Sequence, residues 1–158
     1  MNKLVIREIN KDEYKLLDDF LYEAIFVPTG FEKPSKDIIK KEELQVYIKN
    51  FGDYIDDNCL LVEYDNKIVG ACWARIMDDY GHIDNFTPSL AISLYEEYRG
   101  KGMGTKLMRS MLKLLKEKGY KRTSLSVQKN NYAVKMYKNL GFKIINQNHD
   151  EYIMICDL

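Results

Sequence analysis

The residues from Ser89 to Thr105 read SLAISLYEEYRGKGMGT, and this stretch decides the fold of the chain. Its first part, Leu90 to Leu94, is an apolar run with the length of a short buried strand. Three glycines follow within Arg99 to Thr105, and an amphipathic helix is predicted from about Gly104 to Lys118. The apolar stripe of that helix consists of Leu107, Met108, Met111, Leu112 and Leu115.

A strand that passes through glycines into the start of a helix favours the binding of phosphate. Glycines let the backbone come close, and the free N–H groups and the dipole of the helix start attract an anion. A nucleoside triphosphate loop is excluded because its lysine would follow the glycines, whereas Lys101 precedes Gly102. The dinucleotide spacing also fails, since Leu107 stands where a third glycine would be needed. The pattern that remains is Arg-x-x-Gly-x-Gly, from Arg99 to Gly104.

A second motif lies downstream and begins at Asn130. The two motifs, in this order and with a strand between them, resemble those of the GNAT superfamily of acyl-CoA-dependent N-acetyltransferases, in a bacterial-type single-domain form. This chain has Met136 where the family has leucine, and the resemblance covers essentially the whole chain. The second motif reads Asn130-x-x-Ala133-x-x-Met136-Tyr137-x-x-x-Gly141-Phe142.

The fold class predicted is α/β (α+β), as a GNAT fold with a mixed central sheet of about seven strands and four helices. The predicted order is β-α-α-β-β-β-α-β-α-β-β, within a single domain over residues 1–158. The second helix is expected from about Ser35 to Phe51, before the break at Gly52. A closing hairpin is expected to pair Lys143–Asn146 with Glu151–Cys156. Glu151–Cys156 is expected to be an edge strand that could pair with a second copy in a homodimer.

The composition excludes several classes of partner. Lysine and arginine total 24, and aspartate and glutamate total 24, so the net charge is zero and there is no electrostatic footprint for nucleic acid. No segment has the length and apolarity of a membrane span. Cys59, Cys72 and Cys156 are odd in number and lie in apolar runs, so they are interpreted as reduced core residues. A cytoplasmic location is therefore expected.

The resemblance implies where acetyl-CoA would bind. The loop from Arg99 to Thr105 would hold the pyrophosphate, and the backbone of Ile92–Leu94 would pair with the pantetheine arm beside the splayed strand Thr123–Val127. An N–H near Leu94 would donate to the carbonyl oxygen. The predicted cofactor-binding residues are Ile92, Ser93, Leu94, Arg99, Gly100, Lys101, Gly102, Met103, Gly104, Thr105, Asn130 and Tyr137.

The general acid expected from the motif is Tyr137, whose hydroxyl keeps its proton at neutral pH because its reference pKa is about 10. For an isolated tyrosine on an amphipathic helix, a role in the core would be the ordinary interpretation. Asn130, or its neighbour Asn131, is expected to cap the helix, and Asn130 could also contact the cofactor.

The general base is left open by the sequence. Pro88 stands at the position where some family members carry a glutamate on the central strand, and it cannot serve. The candidates are Asp84, Glu96, Glu97, Glu23 and His82, acting directly or through water. Two distant histidines and unclustered cysteines predict no metal site.

The acceptor is expected to bind against the first two helices and the apolar loop between them. The candidate acceptor residues are Tyr22, Glu23, Phe26, Phe31 and Asp84, with Val27, Glu32 and Tyr47 as further members. The function implied is transfer of an acetyl group to a primary amine of a small molecule or a protein, by direct attack in a ternary complex. A coenzyme A sensor without turnover, a transferase of longer acyl groups and a partner-binding domain without cofactor are the alternatives.

Overall fold

The computed structural model describes residues 3–158 and is built on one seven-stranded mixed sheet in the order β1-β2-β3-β4-β5-β7-β6. Four α-helices and three short 3-10 turns surround it. The element order confirms the predicted fold class. The strands are β1 Leu4–Glu8, β2 Asn58–Tyr64, β3 Lys67–Arg75, β4 Ser89–Leu94, β5 Arg122–Gln128, β6 Lys143–Gln147 and β7 Glu151–Asp157. The helices are α1 Leu16–Ala24, α2 Glu42–Gln45, α3 Met103–Glu117 and α4 Ala133–Asn139.

The parallel strands β4 and β5 meet at a single bridged pair, Ser89 with Ser124. The Ser124 N–H and the Thr123 hydroxyl both donate to Pro88 O, at 3.0 and 2.8 Å. Beyond that point the two strands part, whereas β4 stays paired with β3 along its whole length. The sheet therefore opens in its middle toward the carboxyl ends of β4 and β5.

Each face of the sheet carries its own apolar core, because strand residues alternate between the faces. On one face Leu107, Met111 and Leu115 of α3 pack on β2–β5. On the other face Leu17 and Phe20 of α1 pack on β3 and β4. Helix α3 has the apolar stripe that the sequence predicts, with five buried positions at helical spacing: Met103, Leu107, Met108, Met111 and Leu115.

The long second helix predicted from Ser35 to Phe51 is wrong. The segment forms a 3-10 turn at Lys36–Lys40, the short α2 and further turns. Two side chains of β3 donate hydrogen bonds to carbonyl groups of this segment. The Trp73 indole N–H donates to Tyr47 O at 3.0 Å, and Arg75 Nη1 donates to Lys49 O at 2.9 Å. Tertiary hydrogen bonds thus replace the helical ones.

The prediction of Glu151–Cys156 as an edge strand is also wrong. Strand β7 lies between β5 and β6 and pairs with both in antiparallel register. The edges of the sheet are β1 and β6. The last strand inserts itself into the sheet, so its backbone groups cannot pair with a second molecule.

Within residues 3–158, no helix combines the length and the apolarity that a membrane crossing requires. Over the same range, no three metal-ligating side chains gather into a group. The three thiols are buried and unpaired with one another.

We expect the buried Arg75–Asp57 ion pair to dominate the stability of the loop before β2. The two side chains are 4% and 1% exposed, and both Arg75–Asp57 hydrogen bonds measure 3.0 Å. Asp57→Ala would leave a buried guanidinium uncompensated and should lower the free energy of unfolding by about 3–5 kcal/mol in urea. Asp37→Ala removes an exposed partner of Lys40 and should cost at most about 1 kcal/mol. Equal losses in the two variants would contradict this expectation.

Candidate active site

A cleft of about 680 Å³ occupies the opening between β4 and β5. Its volume lies in the range of about 300–1,000 Å³ that is typical of small-molecule sites. The end of α1 and the segment that follows it, 21–33, line one wall, and α4 with the start of α3 lines another. The cleft is closed at the Ser89–Ser124 bridge and passes between the two strands beyond it. Ligands on opposite faces of the sheet can therefore meet between β4 and β5.

Backbone groups of both strands face into this cleft. The Tyr95 N–H donates to Val69 O across β3, at 3.0 Å. In an antiparallel pair the direction of hydrogen bonding alternates, so the N–H groups of Ile92 and Leu94 point the other way, toward β5. By the same alternation from Ser124, the N–H of Ser126 points toward β4. The parted strands thus offer free backbone donors to a ligand that enters between them.

The start of α3 forms the anionic-ligand end of the cleft. Its N-cap is Gly102 at φ +87°, with no side-chain cap and no acidic residue in the first turn. The N–H groups of that turn and the helix dipole are therefore uncompensated. A Cβ added at Gly100 or Gly102 would meet no atom within 4 Å, and both glycines line the cleft. This cradle fits a pyrophosphate group.

Arg99 ties the glycine-rich loop to the two neighbouring elements. Its Nε donates to Leu94 O at 2.9 Å, and its Nη2 donates to Glu23 O at 3.1 Å. The Glu23 carboxylate lies 3.7 Å from the same nitrogen. Arg99 thereby satisfies the last carbonyl of β4 and places a cation at the C-terminus of α1, where the helix dipole favours one.

Tyr137 lies on α4 and lines the cleft with 8% of its surface exposed. Its ring packs on Phe142 at a centroid distance of 5.7 Å. Burial raises the pKa of its hydroxyl above the ordinary value, so the proton stays on the oxygen throughout the neutral range. The cap of α4 comes from Asn131, whose Oδ1 accepts from the Ala133 N–H at 2.9 Å.

Most of the residues predicted to bind the cofactor come together in the cleft: Ile92, Ser93, Leu94, Arg99, Gly100, Gly102, Gly104, Thr105 and Tyr137. Three do not line it. Lys101 is exposed above the Tyr98 ring, Met103 is buried in the core, and Asn130 is exposed. Of Asn130 and Asn131, which precede α4, Asn131 lines the cleft.

The predicted acceptor residues divide in the same way. Glu23, Phe26 and Phe31 line the cleft. Tyr22 does not, and its hydroxyl donates to Pro34 O at 2.6 Å. Asp84 lies outside it and pairs with Arg122 at 2.7 Å, and that hydrogen bond lowers the pKa of the carboxyl to about 2.

Among the other candidates for the base, Glu96 lines the cleft and is exposed, while Glu97 and His82 are not part of the lining. The structure adds polar residues that the sequence did not single out. Ser126 and Gln128 of β5 and Glu151 of β7 line the cleft, and so does Tyr47, which is among the acceptor candidates predicted from the sequence. The alternation of serines along β5 is the one sequence signal that could have drawn attention to Ser126.

A sequence model described as the acetyltransferase (GNAT) family matches residues 19–142. The chain belongs to this family. The match spans both motifs up to Phe142. The recognition made from the sequence is confirmed, and acetyl-CoA, the cofactor it implied, is the cofactor of this family.

Curated relatives of this chain match it over part of their length. It is 35% identical over 85 residues to a putative [ribosomal protein bS18]-alanine N-acetyltransferase of Bacillus subtilis, which covers 53% of this chain and 52% of that protein. It is 30% identical over 146 residues to an uncharacterized N-acetyltransferase of Methanocaldococcus jannaschii, over 87% of this chain and 60% of that one. The chain thus spans roughly half of each relative.

A solved structure with the same fold is the PaiA N-acetyltransferase of Thermoplasma acidophilum in complex with coenzyme A. It superposes with a TM-score of 0.73 at 20% identity and covers 99% of both chains. At this identity the likeness shows the fold alone.

We expect Gly102→Val to abolish the rise in Tm that coenzyme A causes in the wild type, because the valine side chain would occupy the open space before the α3 N-terminus. The control is Gly119→Val, which introduces a side chain at a similar φ of +95°, also with no atom within 4 Å, but outside the cleft. Both variants should lose similar stability, and only Gly119→Val should keep the coenzyme A shift. Retention of the shift in a folded Gly102→Val protein would contradict the site.

Proposed function

We propose that this protein transfers the acetyl group of acetyl-CoA to a primary amine, by direct attack in a ternary complex. The observation that carries the proposal is the separation of β4 from β5 beside the uncapped N-terminus of α3. It provides an anion site and a row of free backbone donors within one cleft. The family membership supports the same reaction class.

The cofactor would be held mainly by backbone. The N–H groups at Gly102–Thr105 would take the pyrophosphate, with Lys101 near enough along the loop to add positive charge. The backbone N–H and C=O groups of Ile92–Leu94 would hydrogen-bond the pantetheine arm. When bound, acetyl-CoA supplies a thioester with an electrophilic carbonyl carbon and a sulfur leaving group.

The Leu94 N–H would stabilise the negative charge that develops on the carbonyl oxygen. A fixed backbone donor in a water-poor cleft serves this purpose because it needs no reorganisation during the reaction. Arg99 supports this donor because its Nε donates a hydrogen bond to Leu94 O at 2.9 Å, which fixes the end of β4.

Tyr137 would donate its proton toward the sulfur as the thiolate leaves. Its raised pKa lies above the reference value of about 8.5 for a thiol, so complete transfer to a free thiolate would be uphill. The hydroxyl is therefore suited to hydrogen-bonding the developing charge in the transition state while keeping its own proton at rest.

The acceptor would enter from the side of α1 and the apolar segment after it. Phe31 is 72% exposed and Phe26 is half-buried there, and both line the cleft. A small-molecule amine and a protein N-terminus or lysine both fit an opening of this kind. The three buried thiols fit a reducing compartment such as the cytoplasm.

The function is tested by thiol release from acetyl-CoA in a screen over classes of amine. We expect Tyr137→Phe to lower kcat by roughly 10²–10⁴-fold, because only the proton donor is lost. The KM for acetyl-CoA and the Tm should stay near the wild-type values, since the ring and its packing on Phe142 are retained.

The matched control is Tyr14→Phe, which removes a hydroxyl from a ring that packs on Phe51, outside the cleft. It should turn over at the wild-type rate. Undiminished turnover in Tyr137→Phe would make this tyrosine a packing residue and assign protonation of the thiolate to water.

We further expect Phe31→Ser to change the relative KM values of different amines while the affinity for coenzyme A stays within about twofold. The reason is that Phe31 lines the cleft on the segment after α1, outside the glycine-rich loop, and, being exposed, contributes little to stability. A parallel loss of coenzyme A affinity, measured by calorimetry, would contradict the assignment of this segment to the acceptor.

A further inference from the structure

The acceptor side of the cleft contains a polar group of residues that the proposed reaction has not used. Tyr47, Ser126 and Glu151 line the cleft there, and Asp79 lies beneath them at its closed end. Ser126 and Glu151 share one face of the sheet, because Gln128, which is two residues from Ser126, pairs directly with Glu151 in the β5–β7 register. That face is the one covered by α1 and α2.

Asp79 is fixed at the bridge between β4 and β5. The Ser89 hydroxyl donates to Asp79 Oδ1 at 2.9 Å. A Cβ built on Gly81 would lie 3.3 Å from Asp79 Oδ2 and 3.1 Å from the Ser126 nitrogen, so the carboxylate reaches β5 where the strands part. Asp79 Oδ2 is buried and has no hydrogen-bond partner among residues 3–158. A buried acceptor of this kind is costly unless a donor reaches it.

Glu151 is half-buried at the start of β7, and over the described part of the chain no basic side chain forms an ion pair with it. The nearby cation Lys129 is engaged elsewhere, with its Nζ 2.7 Å from Gln147 Oε1 and 5.4 Å from the centre of the Tyr152 ring. The neighbouring histidine, His149, is exposed and faces Asp150 at 3.9 Å. Glu151 therefore presents a carboxylate to the cleft without a protein counter-ion.

The other carboxylates near the cleft are neutralised or remote. Glu23 pairs with Lys33 at 3.3 Å and with Arg99 at 3.7 Å. Asp84 is outside the lining and pairs with Arg122. Glu96 is exposed where it lines the cleft, close in sequence to the glycine-rich loop.

We propose that Glu151 binds the ammonium group of a cationic primary amine and accepts its proton, and that Asp79, held by Ser89 at the closed end of the cleft, acts as a positioning residue. The inference rests on the proposed function and names its acceptor class. In the step itself an N–H bond of the ammonium breaks, its electron pair stays on nitrogen as the nucleophilic lone pair, and the proton passes to a Glu151 carboxylate oxygen. No redox change is involved.

The titration behaviour of the group agrees with this role. Burial raises the pKa of the Glu151 carboxyl, and the negative charges of Asp150 and Asp79 raise it further. Burial raises the pKa of Asp79, and the hydrogen bond from the Ser89 hydroxyl partly offsets this rise. Burial and the charge of Asp79 also raise the pKa of Tyr47, so its hydroxyl remains a donor. A carboxylate with a raised pKa is a better proton acceptor near neutral pH than an ordinary glutamate.

The test is the affinity of n-butylammonium, with 1-butanol as the uncharged probe of similar length, for protein saturated with coenzyme A. Binding is followed by the amide resonances of Ser126, Gln128 and residue 151. We expect n-butylammonium to bind the wild type at least about tenfold more tightly than Glu151→Gln, because a charged hydrogen bond is lost. The affinity for 1-butanol should be the same in both proteins.

The control for net charge is Asp157→Asn, at the other and exposed end of β7, which should bind n-butylammonium as the wild type does. In Asp79→Asn the affinity for n-butylammonium should persist to lower pH, because loss of the Asp79 charge lowers the pKa of Glu151. A role of Asp79 in packing alone would leave that pH midpoint unchanged and would overturn its assignment.

Equal affinities of the wild type and Glu151→Gln for n-butylammonium would overturn the proposal for Glu151. If the Tm of the same protein still rises with coenzyme A, the proposed acetyl transfer would not be contradicted by that result. Failure of coenzyme A to bind at all would instead contradict the proposed function.

Discussion

The early parting of β4 from β5 is the constraint on which the rest of the site depends. Two parallel strands that stayed paired would satisfy the N–H groups of Ile92, Leu94 and Ser126 within the sheet. Here the hydrogen bonds to Pro88 O close the strands at one end, and the segment before β4 packs Gly81 against β5, with the Ser124 hydroxyl donating to Gly81 O at 2.7 Å. Along the gap that follows, these N–H groups have no strand partner within the part of the chain that the structure describes, and a cofactor arm can accept their hydrogen bonds.

The cleft has two regions of different electrostatic character. At one end the uncapped α3 N-terminus and its glycines attract an anion, and Arg99 holds the end of β4 in place. In the other region, on the face of the sheet covered by α1 and α2, Glu151 has no ion-pair partner among residues 3–158, and we propose it as the ammonium site. With Glu151 as the ammonium site that we propose, a phosphate-bearing donor and an ammonium-bearing acceptor would enter from different sides and bring their reactive groups together between the strands.

The sequence predicted the elements whose signals are local. The apolar stripe of α3, the glycines before it and Tyr137 depend on residues close together in the chain and lie on the expected elements, whereas Leu112 of the stripe is only partly buried and Asn130 of the second motif is exposed outside the cleft. The long second helix was wrong, and the end of that segment is held instead by hydrogen bonds from Trp73 and Arg75, which are distant in sequence. The prediction of β7 as an edge strand was wrong because its insertion between β5 and β6 depends on contacts between residues that are far apart in the chain. Asp79 and Glu151 come from separate loops and strands, so only the fold brings them together.

The most direct measurement of the central claim is amide hydrogen exchange along β4, with and without coenzyme A. In the free protein we expect the Ile92 and Leu94 amides to exchange faster than those of Ala91 and Ser93, which bond to β3. Coenzyme A should slow exchange at Ile92 and Leu94 and leave Ala91 and Ser93 unchanged. Equally slow exchange at all four positions in the free protein, or no response to coenzyme A at Ile92 and Leu94, would contradict a cleft opened by the parting of β4 and β5.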